Sequence, residues 1–385
     1  MAGVREALVG PDIVVDDMVL ADHSVLVRDG RIEAVLPIAQ LPSDVVRRDL
    51  GAGLLTAGLI DIHTHGAGGR SFNEGDDTAN QQALAAYLRA GVTTVLPTLA
   101  TAPLEDMARA LESFAALKGS VALPRTPGAH LEGPYFSEAQ RGAQDPAALR
   151  DPLDGSIDRL LDFADTIRMI SFAPELPGAV ALTERLVALG IVAAAGHSDG
   201  RDEDLLACQR AGLSHVIHIY SGQSTTERRG PWRYPGMLEA TLASDDLTVE
   251  MIGDGKHLPA TLMKLAMRCL GGRLCLVSDS TSGAGLPDGS RYRMGDAEYL
   301  VENGVGVTLD RTSFGGSTTL ISEMIPITVA ALGISIPEAI AMATSIPAAA
   351  AHLQDVGRLV AGFHADFVLF DHELKVRDVA LAGQW

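Results

Sequence analysis

The stretch Ala57-Gly58-Leu59-Ile60-Asp61-Ile62-His63-Thr64-His65-Gly66 is an apolar run that ends in two histidines one residue apart, with glycine immediately after. On a strand, side chains at i and i+2 share a face, so His63 and His65 can aim at one point. Neutral imidazoles held in that way suit a borderline metal such as zinc. An isolated H-x-H on a solvated strand end would carry no such meaning. The buried-strand run before this pair and the glycine after it turn the reading toward metal ligation.

Working outward, apolar strand runs alternate with amphipathic helical patterns. Strands are expected at 59–65, 93–99, 129–133, 167–174, 191–196, 216–220, 247–252 and 274–278. Helical periodicity falls between several of them, at 80–90, 104–117, 179–189, 202–211 and 260–270. Near-continuous apolar strands separated by helices indicate a parallel sheet covered on both faces. Eight such units predict an α/β fold, a closed (β/α)8 TIM-type barrel. A doubly wound open sheet is the competing architecture, but no G-x-G-x-x-G follows the first strand. The first 55 residues read instead as short strands with tight turns: Asp12-Ile-Val-Val-Asp, Ser24-Val-Leu-Val-Arg and Arg31-Ile-Glu-Ala-Val-Leu, the last two joined by Asp29-Gly30. Phe367-Val-Leu-Phe-Asp repeats that character near the other end. The expectation is a small β-sandwich domain built from residues 1–55 and 356–385, flanking the barrel at 56–355.

At 385 residues, 47% of them hydrophobic, with 40 Gly and 19 Pro, the chain suits a loop-rich α/β enzyme. Its net charge of −19 argues against nucleic-acid or anionic-membrane partners. An anionic substrate must therefore meet a local cluster of Arg, Lys or His. Cys208, Cys269 and Cys275 have no paired spacing that would suggest a disulfide framework. No run of eighteen uninterrupted apolar residues predicts a membrane span, and the first residues lack the apolar core of a signal peptide. A cytoplasmic location is expected.

Catalytic side chains of such barrels sit at the C-terminal strand ends. There the sequence places His63-Thr-His65, His130-Leu-Glu132, Gly196-His197-Ser, His215-Val-Ile-His218, Asp254-Gly-Lys-His257 and Ser278-Asp279-Ser. Of eleven histidines, all but His23, His352, His364 and His372 lie in these motifs. Singly, each has an ordinary reading: Glu132 paired with a basic residue, Asp279 an N-cap, His215 and His130 packed or supporting groups. Together, histidines and carboxylates on successive strands supply a metal site with an extra carboxylate, the equipment for metal-assisted hydrolysis.

At these residues the chain resembles the amidohydrolase superfamily and, within it, the N-acetylglucosamine-6-phosphate deacetylases. The matching motifs are Ala57-Gly-Leu-Ile-Asp-Ile-His-Thr-His-Gly-Ala-Gly-Gly, Gly91-Val-Thr-Thr-Val-Leu-Pro-Thr, His130-Leu-Glu-Gly-Pro-Tyr-Phe, Phe172-Ala-Pro-Glu and Ala195-Gly-His-Ser. Asp254-Gly-x-His257, Phe314-Gly-Gly-Ser, Ala343-Thr-x-x-Pro-Ala and Gly357-Arg-Leu-x-x-Gly-x-x-Ala-Asp-Phe-Val follow. The resemblance implies a principal metal on Glu132, His197 and His218, and a second on His63 and His65. It makes Asp279 the catalytic carboxylate. It implies a divalent ion, zinc with iron as the alternative, at one or two per subunit, and a homodimer. The implied reaction takes N-acetylglucosamine 6-phosphate to glucosamine 6-phosphate and acetate. Within enzymes, the alternative is a deacetylase of another N-acyl amino sugar or N-acyl amine. A non-catalytic barrel scaffold is the reading from a different class, opposed by the filled metal and acid positions.

Three departures surround the implied substrate. The family's His-x-x-Asn-Ala-Met reads His218-Ile-Tyr-Ser-Gly-Gln here, with Ser221 and Gly222 in the sugar-contacting positions. Its phosphate-binding Arg-x-Pro-Gly becomes Arg233-Tyr-Pro-Gly236 after a basic insert with Arg228 and Arg229, so that Arg228, Arg229 or Arg233 can face the substrate. Its carbonyl-polarising histidine is replaced by Gln144 in Arg141-Gly-Ala-Gln144. Glutamine donates a neutral hydrogen bond but no charge. His257 is retained as a phosphate or hydroxyl contact.

Overall fold

A computed structural model describes residues 5–117, 119, 122–294 and 297–385. Eight parallel strands in sequential order form the barrel. They are β1 (Leu59–Thr64), β2 (Val92–Ala100), β3 (Ala129–Glu132), β4 (Ile167–Phe172), β5 (Val192–Ala195), β6 (His215–Val216), β7 (Thr248–Ile252) and β8 (Leu274–Val277). Backbone bonds bring the first and last together: His63 O accepts from Asp279 N at 2.9 Å, and Ser280 O accepts from His65 N at 2.7 Å. Strand alternation sorts the side chains. Leu131, Ala193, Met251 and Leu276 join the cluster that packs against the helices. Their neighbours Glu132, Ala194, Glu250 and Cys275 therefore face the barrel interior.

The outer helices fall where the apolar periodicity puts them. Among them are Asp77–Arg89, Leu104–Leu117, Ala179–Ala188, Asp202–Arg210 and Ala260–Leu270. Asp76 caps the first of these, its Oδ1 accepting from Ala79 N at 2.8 Å. The chief difference from the expected strands is β6, which ends at Val216 instead of running to residue 220. Past Val216 the ladder becomes irregular: His218 N donates to the Glu250 side chain, at 3.2 Å, rather than to a backbone carbonyl.

The two ends of the chain build two small sheets beside the barrel. Strands Arg5–Val9, His23–Arg28, Arg31–Pro37 and Val46–Asp49 form one. Strands Asp12–Val15, Met18–Leu20, Leu54–Ala57, Phe367–Phe370 and Val376–Ala380 form the other. Leu54–Ala57 pairs antiparallel with Phe367–Phe370 and leads directly into β1. The Arg125 guanidinium grips Asp366 through two bonds, at 2.7 and 3.2 Å, and Gly58 N donates to Asp366 O at 2.9 Å. The entry of the strand that carries His63 is thus fixed by the small sheets.

A four-stranded antiparallel sheet follows β8 and has no counterpart in the sequence reading: Arg291–Met294, Ala297–Glu302, Val305–Thr308 and Phe314–Ser317. Asn303-Gly304 turns its central hairpin with both φ angles positive, at 55° and 67°. Ser317 N donates to Asp279 O at 2.8 Å, so this sheet is stitched to the carboxylate-bearing turn and overhangs the C-terminal mouth of the barrel.

Candidate metal centre and active site

Glu132, at the end of β3, is the hub. Its Oε1 lies 3.0 Å from Nε2 of His197 and 3.0 Å from Nε2 of His218. Nε2 of His63 stands 3.6 Å from the same oxygen, and Nε2 of His65 stands 3.4 Å from Oε2. Asp279 completes the ring, its Oδ1 at 3.2 Å from His65 Nε2 and 3.8 Å from His63 Nε2. All six groups are buried. The backbone is bent to present two of them: His197 and Asp279 both have φ of 43°, in the left-handed region that non-glycine residues seldom occupy.

The far side of three of the four imidazoles shows what this ring is built to hold, while His218 Nδ1 is buried without a partner. His63 Nδ1 contacts the Glu250 carboxylate at 2.7 Å, His65 Nδ1 the Thr98 carbonyl at 3.2 Å, and His197 Nδ1 the Gln140 carbonyl at 2.8 Å. A carboxylate or carbonyl only accepts, so each of these Nδ1 atoms carries a proton, and Nε2 is the nitrogen left to face Glu132 and any cation there. Nε2 of His63 is buried with no hydrogen-bond partner. Lone pairs and carboxylates that face one another across 3–4 Å repel unless a cation lies among them. The donor set of imidazole and carboxylate fits a divalent metal, and its atoms form two overlapping groups, His63–Glu132–His218 and His63–His65–Asp279. Without metal, protons take the cation's place. Burial alone would raise the Glu132 pKa, but hydrogen bonds from His197 and His218 and the neighbouring His63 hold it well below the usual carboxylate range. Burial alone would lower that of His63, yet Glu250 and Glu132 hold it well above the ordinary imidazole value.

Behind this ring lie groups the sequence reading did not single out. Glu250, in β7, is fully buried and bridges His63, His215 and the backbone of His218. The available signal was a lone carboxylate inside the apolar run Leu247-Thr-Val-Glu-Met-Ile. Asp61, two residues before His63, is also fully buried; burial pushes its carboxyl up to about 7, and its Oδ1 accepts from Ser278 N at 3.2 Å. His215 donates no nitrogen to the ring: Nε2 meets Glu250 Oε1 at 3.0 Å, and Nδ1 meets Thr248 Oγ1 at 2.7 Å. His130 packs edge-on against His63 with ring centroids 4.6 Å apart, its nitrogens engaged by Ser171 Oγ and the Ile62 carbonyl.

A cavity of about 410 Å³ opens over the ring. Its lining includes His65, Glu132, His197, His218 and Asp279 together with Gln144, Ser221, Gly222 and His257. Gly222 has to be glycine: φ is 59°, and a Cβ there would come within 2.6 Å of His197 Nδ1. Gln144 accepts from Thr101 N at 2.8 Å and donates one amide N–H to Glu132 Oε2 at 2.5 Å, so it steadies the hub carboxylate. His257 Nδ1 is held by Asp254 Oδ2 at 2.6 Å, its ring lies 4.8 Å from Phe314, and its buried Nε2 has no partner. Arg311, on the overhanging sheet and bonded to Glu302 Oε2 at 2.9 Å, is a cavity-lining cation that the sequence reading passed over.

Arg229 and Arg233 are not brought into this cavity. Glu227–Arg229 and Trp232–Tyr234 form an exposed hairpin in which Arg228 pairs with Arg233 across the strands. Arg229 bonds Glu227 at 2.9 Å and stacks over Tyr234, Arg233 donates to Pro231 O at 3.0 Å, and Arg228 donates to Gly230 O at 2.8 Å. Proximity in sequence to His218 therefore does not deliver these arginines to the same chain's metal ring. The three cysteines are free, Cys208 and Cys275 buried and Cys269 exposed. Among the described residues no helix is long and apolar enough to cross a membrane.

Comparison with known proteins matches this arrangement to one family. The amidohydrolase family profile matches residues 54–385, and that of the NagA composite domain matches residues 7–55. N-acetylgalactosamine-6-phosphate deacetylase of Escherichia coli O157:H7 is 32% identical over 370 residues, covering 95% of each chain. N-acetylglucosamine-6-phosphate deacetylase of Haemophilus influenzae is 30% identical over 389 residues, covering 99% of each. A Mycobacterium smegmatis N-acetyl-D-glucosamine-6-phosphate deacetylase mutant, solved in complex with N-acetyl-D-glucosamine-6-phosphate, superimposes with a TM-score of 0.91 at 31% identity, covering 100% of this chain and 99% of that one. Eight barrel strands with flanking end-built sheets, and a metal-fitting histidine–carboxylate ring, agree with those matches: the chain is a member of the amidohydrolase family, in its N-acetylglucosamine-6-phosphate deacetylase branch.

Proposed function

We propose that this chain hydrolyses the N-acetyl amide of N-acetylglucosamine 6-phosphate, releasing acetate and glucosamine 6-phosphate. The observation that carries the reading is the convergence of four imidazole nitrogens on Glu132, with Asp279 beside two of them, at the floor of a sugar-sized cavity. Glu132, His197 and His218 would hold one zinc ion, and His63 with His65 a second. Zinc suits this mixture of nitrogen and oxygen donors, with iron the alternative. A divalent ion at this place supplies Lewis-acid polarisation of the acyl carbonyl and acidifies water toward neutrality.

The chain's own residues do the rest. Asp279 accepts the proton of the attacking water and returns it to the departing amine nitrogen as the C–N bond breaks. The water oxygen ends in acetate. His65 beside Asp279 favours its ionised form, the state a base requires: burial works the other way, and the net shift is below the usual carboxylate range. His257 offers its unpartnered Nε2 toward a phosphate or hydroxyl, and Ser221 and Gly222 border the sugar. The exposed hairpin with Arg229 and Arg233 also carries Trp232, 69% exposed, and Tyr234. It fits a homodimer in which these arginines reach substrate bound by a second copy, since arginine binds phosphate bidentately and stays charged. A cytoplasmic enzyme of amino-sugar metabolism is the setting this implies.

Acetate release from N-acetylglucosamine 6-phosphate, N-acetylgalactosamine 6-phosphate and their unphosphorylated forms tests the assignment. Charged hydrogen bonds to phosphate predict kcat/KM higher by about 10- to 100-fold for the phosphorylated sugars, with the gluco epimer preferred. A preference for unphosphorylated compounds would remove the phosphate from the proposal, and preference for the galacto epimer would reassign the sugar.

A further inference from the structure

Glu250 is a fully buried carboxylate with no Lys or Arg among the described residues paired to it, and its two oxygens are divided among three donors. Oε2 accepts from His63 Nδ1 at 2.7 Å and from the backbone N–H of His218 at 3.2 Å. Oε1 accepts from His215 Nε2 at 3.0 Å, and the opposite nitrogen of His215 is fixed by Thr248 Oγ1 at 2.7 Å. One carboxylate thus holds a member of the H-x-H pair by its ring and a member of the principal triad by its backbone. The resulting line, Thr248–His215–Glu250–His63, fixes a proton on His63 Nδ1 and directs Nε2 at Glu132 from 3.6 Å.

We propose that Glu250 is a positioning residue that makes the site a two-metal site. It fixes the tautomer and orientation of His63, and so the capacity of the H-x-H pair to take a second ion, while tying that capacity to the placement of His218. This rests on the metal-dependent reading above. A carboxylate behind a ligating histidine raises the basicity of the ligand and orients it, and losing such a partner weakens metal binding about 10- to 100-fold. Gln144 plays no equivalent part, because it acts on Glu132 from the opposite side. The remaining H-x-H member, His65, is oriented by a backbone carbonyl and needs no such carboxylate.

The test is zinc stoichiometry and affinity of the full chain and of Glu250→Gln, measured by dialysis against buffered zinc and elemental analysis. Glutamine keeps the shape but can accept from only one histidine, and it turns an N–H toward the other. Wild type is expected to hold two ions. Glu250→Gln is expected to keep one, with the second bound about 10- to 100-fold more weakly. A folded variant with both ions at unchanged affinity overturns the proposal alone. Wild type that binds no zinc overturns the metal-dependent reading and the proposal with it. Should the variant not fold, nitrogen-15 shifts of histidine-labelled wild type decide. His63, assigned by comparison with His63→Asn, must show a protonated Nδ1 and an unprotonated Nε2; the reverse tautomer contradicts the role given to Glu250.

Discussion

Asp279→Asn is expected to retain bound zinc and lose turnover by about 10²- to 10⁴-fold, the range associated with removing a general acid–base group. Asparagine suits this position because it also tolerates the left-handed backbone, where φ is 43°. The main-chain bonds that fix the turn, from Asp279 N to His63 O and from Ser317 N to Asp279 O, do not involve the side chain. What the substitution removes is the basic oxygen 3.2 Å from His65 Nε2. The proton transferred during C–N cleavage then has no acceptor, so kcat should fall with little change in KM, as for a group that acts in the transition state. Steady-state kinetics with metal analysis on the same sample check both halves. A variant that keeps near-normal kcat would contradict the role given to Asp279.

Glu132→Gln is the second large effect. The carboxylate is the one group that all four imidazoles share, with Nε2 atoms 3.0 to 3.6 Å from its oxygens. Glutamine matches its volume but removes the negative charge that balances a dication. The structure then loses the centre of the principal site while His197 stays oriented by Gln140 O and His65 by Thr98 O. The expected outcome is loss of the zinc ion shared with His197 and His218. Activity should fall by about 10³-fold or more, since Lewis-acid stabilisation is worth several kcal/mol and each 1.36 kcal/mol is a factor of ten. Excess zinc should restore little. Equal metal content and activity in the variant would show that Glu132 is not a ligand.

The barrel was legible because parallel strands buried on both faces read as continuous apolar runs, and histidines punctuate several of those runs at the same end. The pairing of Leu54–Ala57 with Phe367–Phe370 was foreshadowed by β-rich segments at both ends of the chain. Glu250 escaped because a single acidic residue in an apolar strand has no partner that sequence spacing reveals; His63 lies 187 positions away. His215 and His218 lie three apart in sequence and yet both reach Glu250, His215 through its ring and His218 through its N–H. They would face opposite ways on a continuous strand, but β6 stops at Val216, and His218 is placed by a side-chain bond instead. The overhanging sheet did leave a signal in the alternation of Arg291-Tyr-Arg-Met and in Asn303-Gly304, which becomes informative only once the chain is known to continue past β8. Arg229 and Arg233 show the reverse limit: a basic motif near a ligand in sequence says nothing about where its hairpin points.

The central claim is that amide hydrolysis requires the cation that Glu132 and its histidines are built to hold. The direct measurement is acetate release from N-acetylglucosamine 6-phosphate by the full chain stripped with a chelator, as zinc is returned in steps. The account predicts no turnover in the stripped protein and activity that rises with bound zinc, levelling at two ions per chain. Turnover that persists without metal, or a fully loaded chain that releases no acetate, would contradict it.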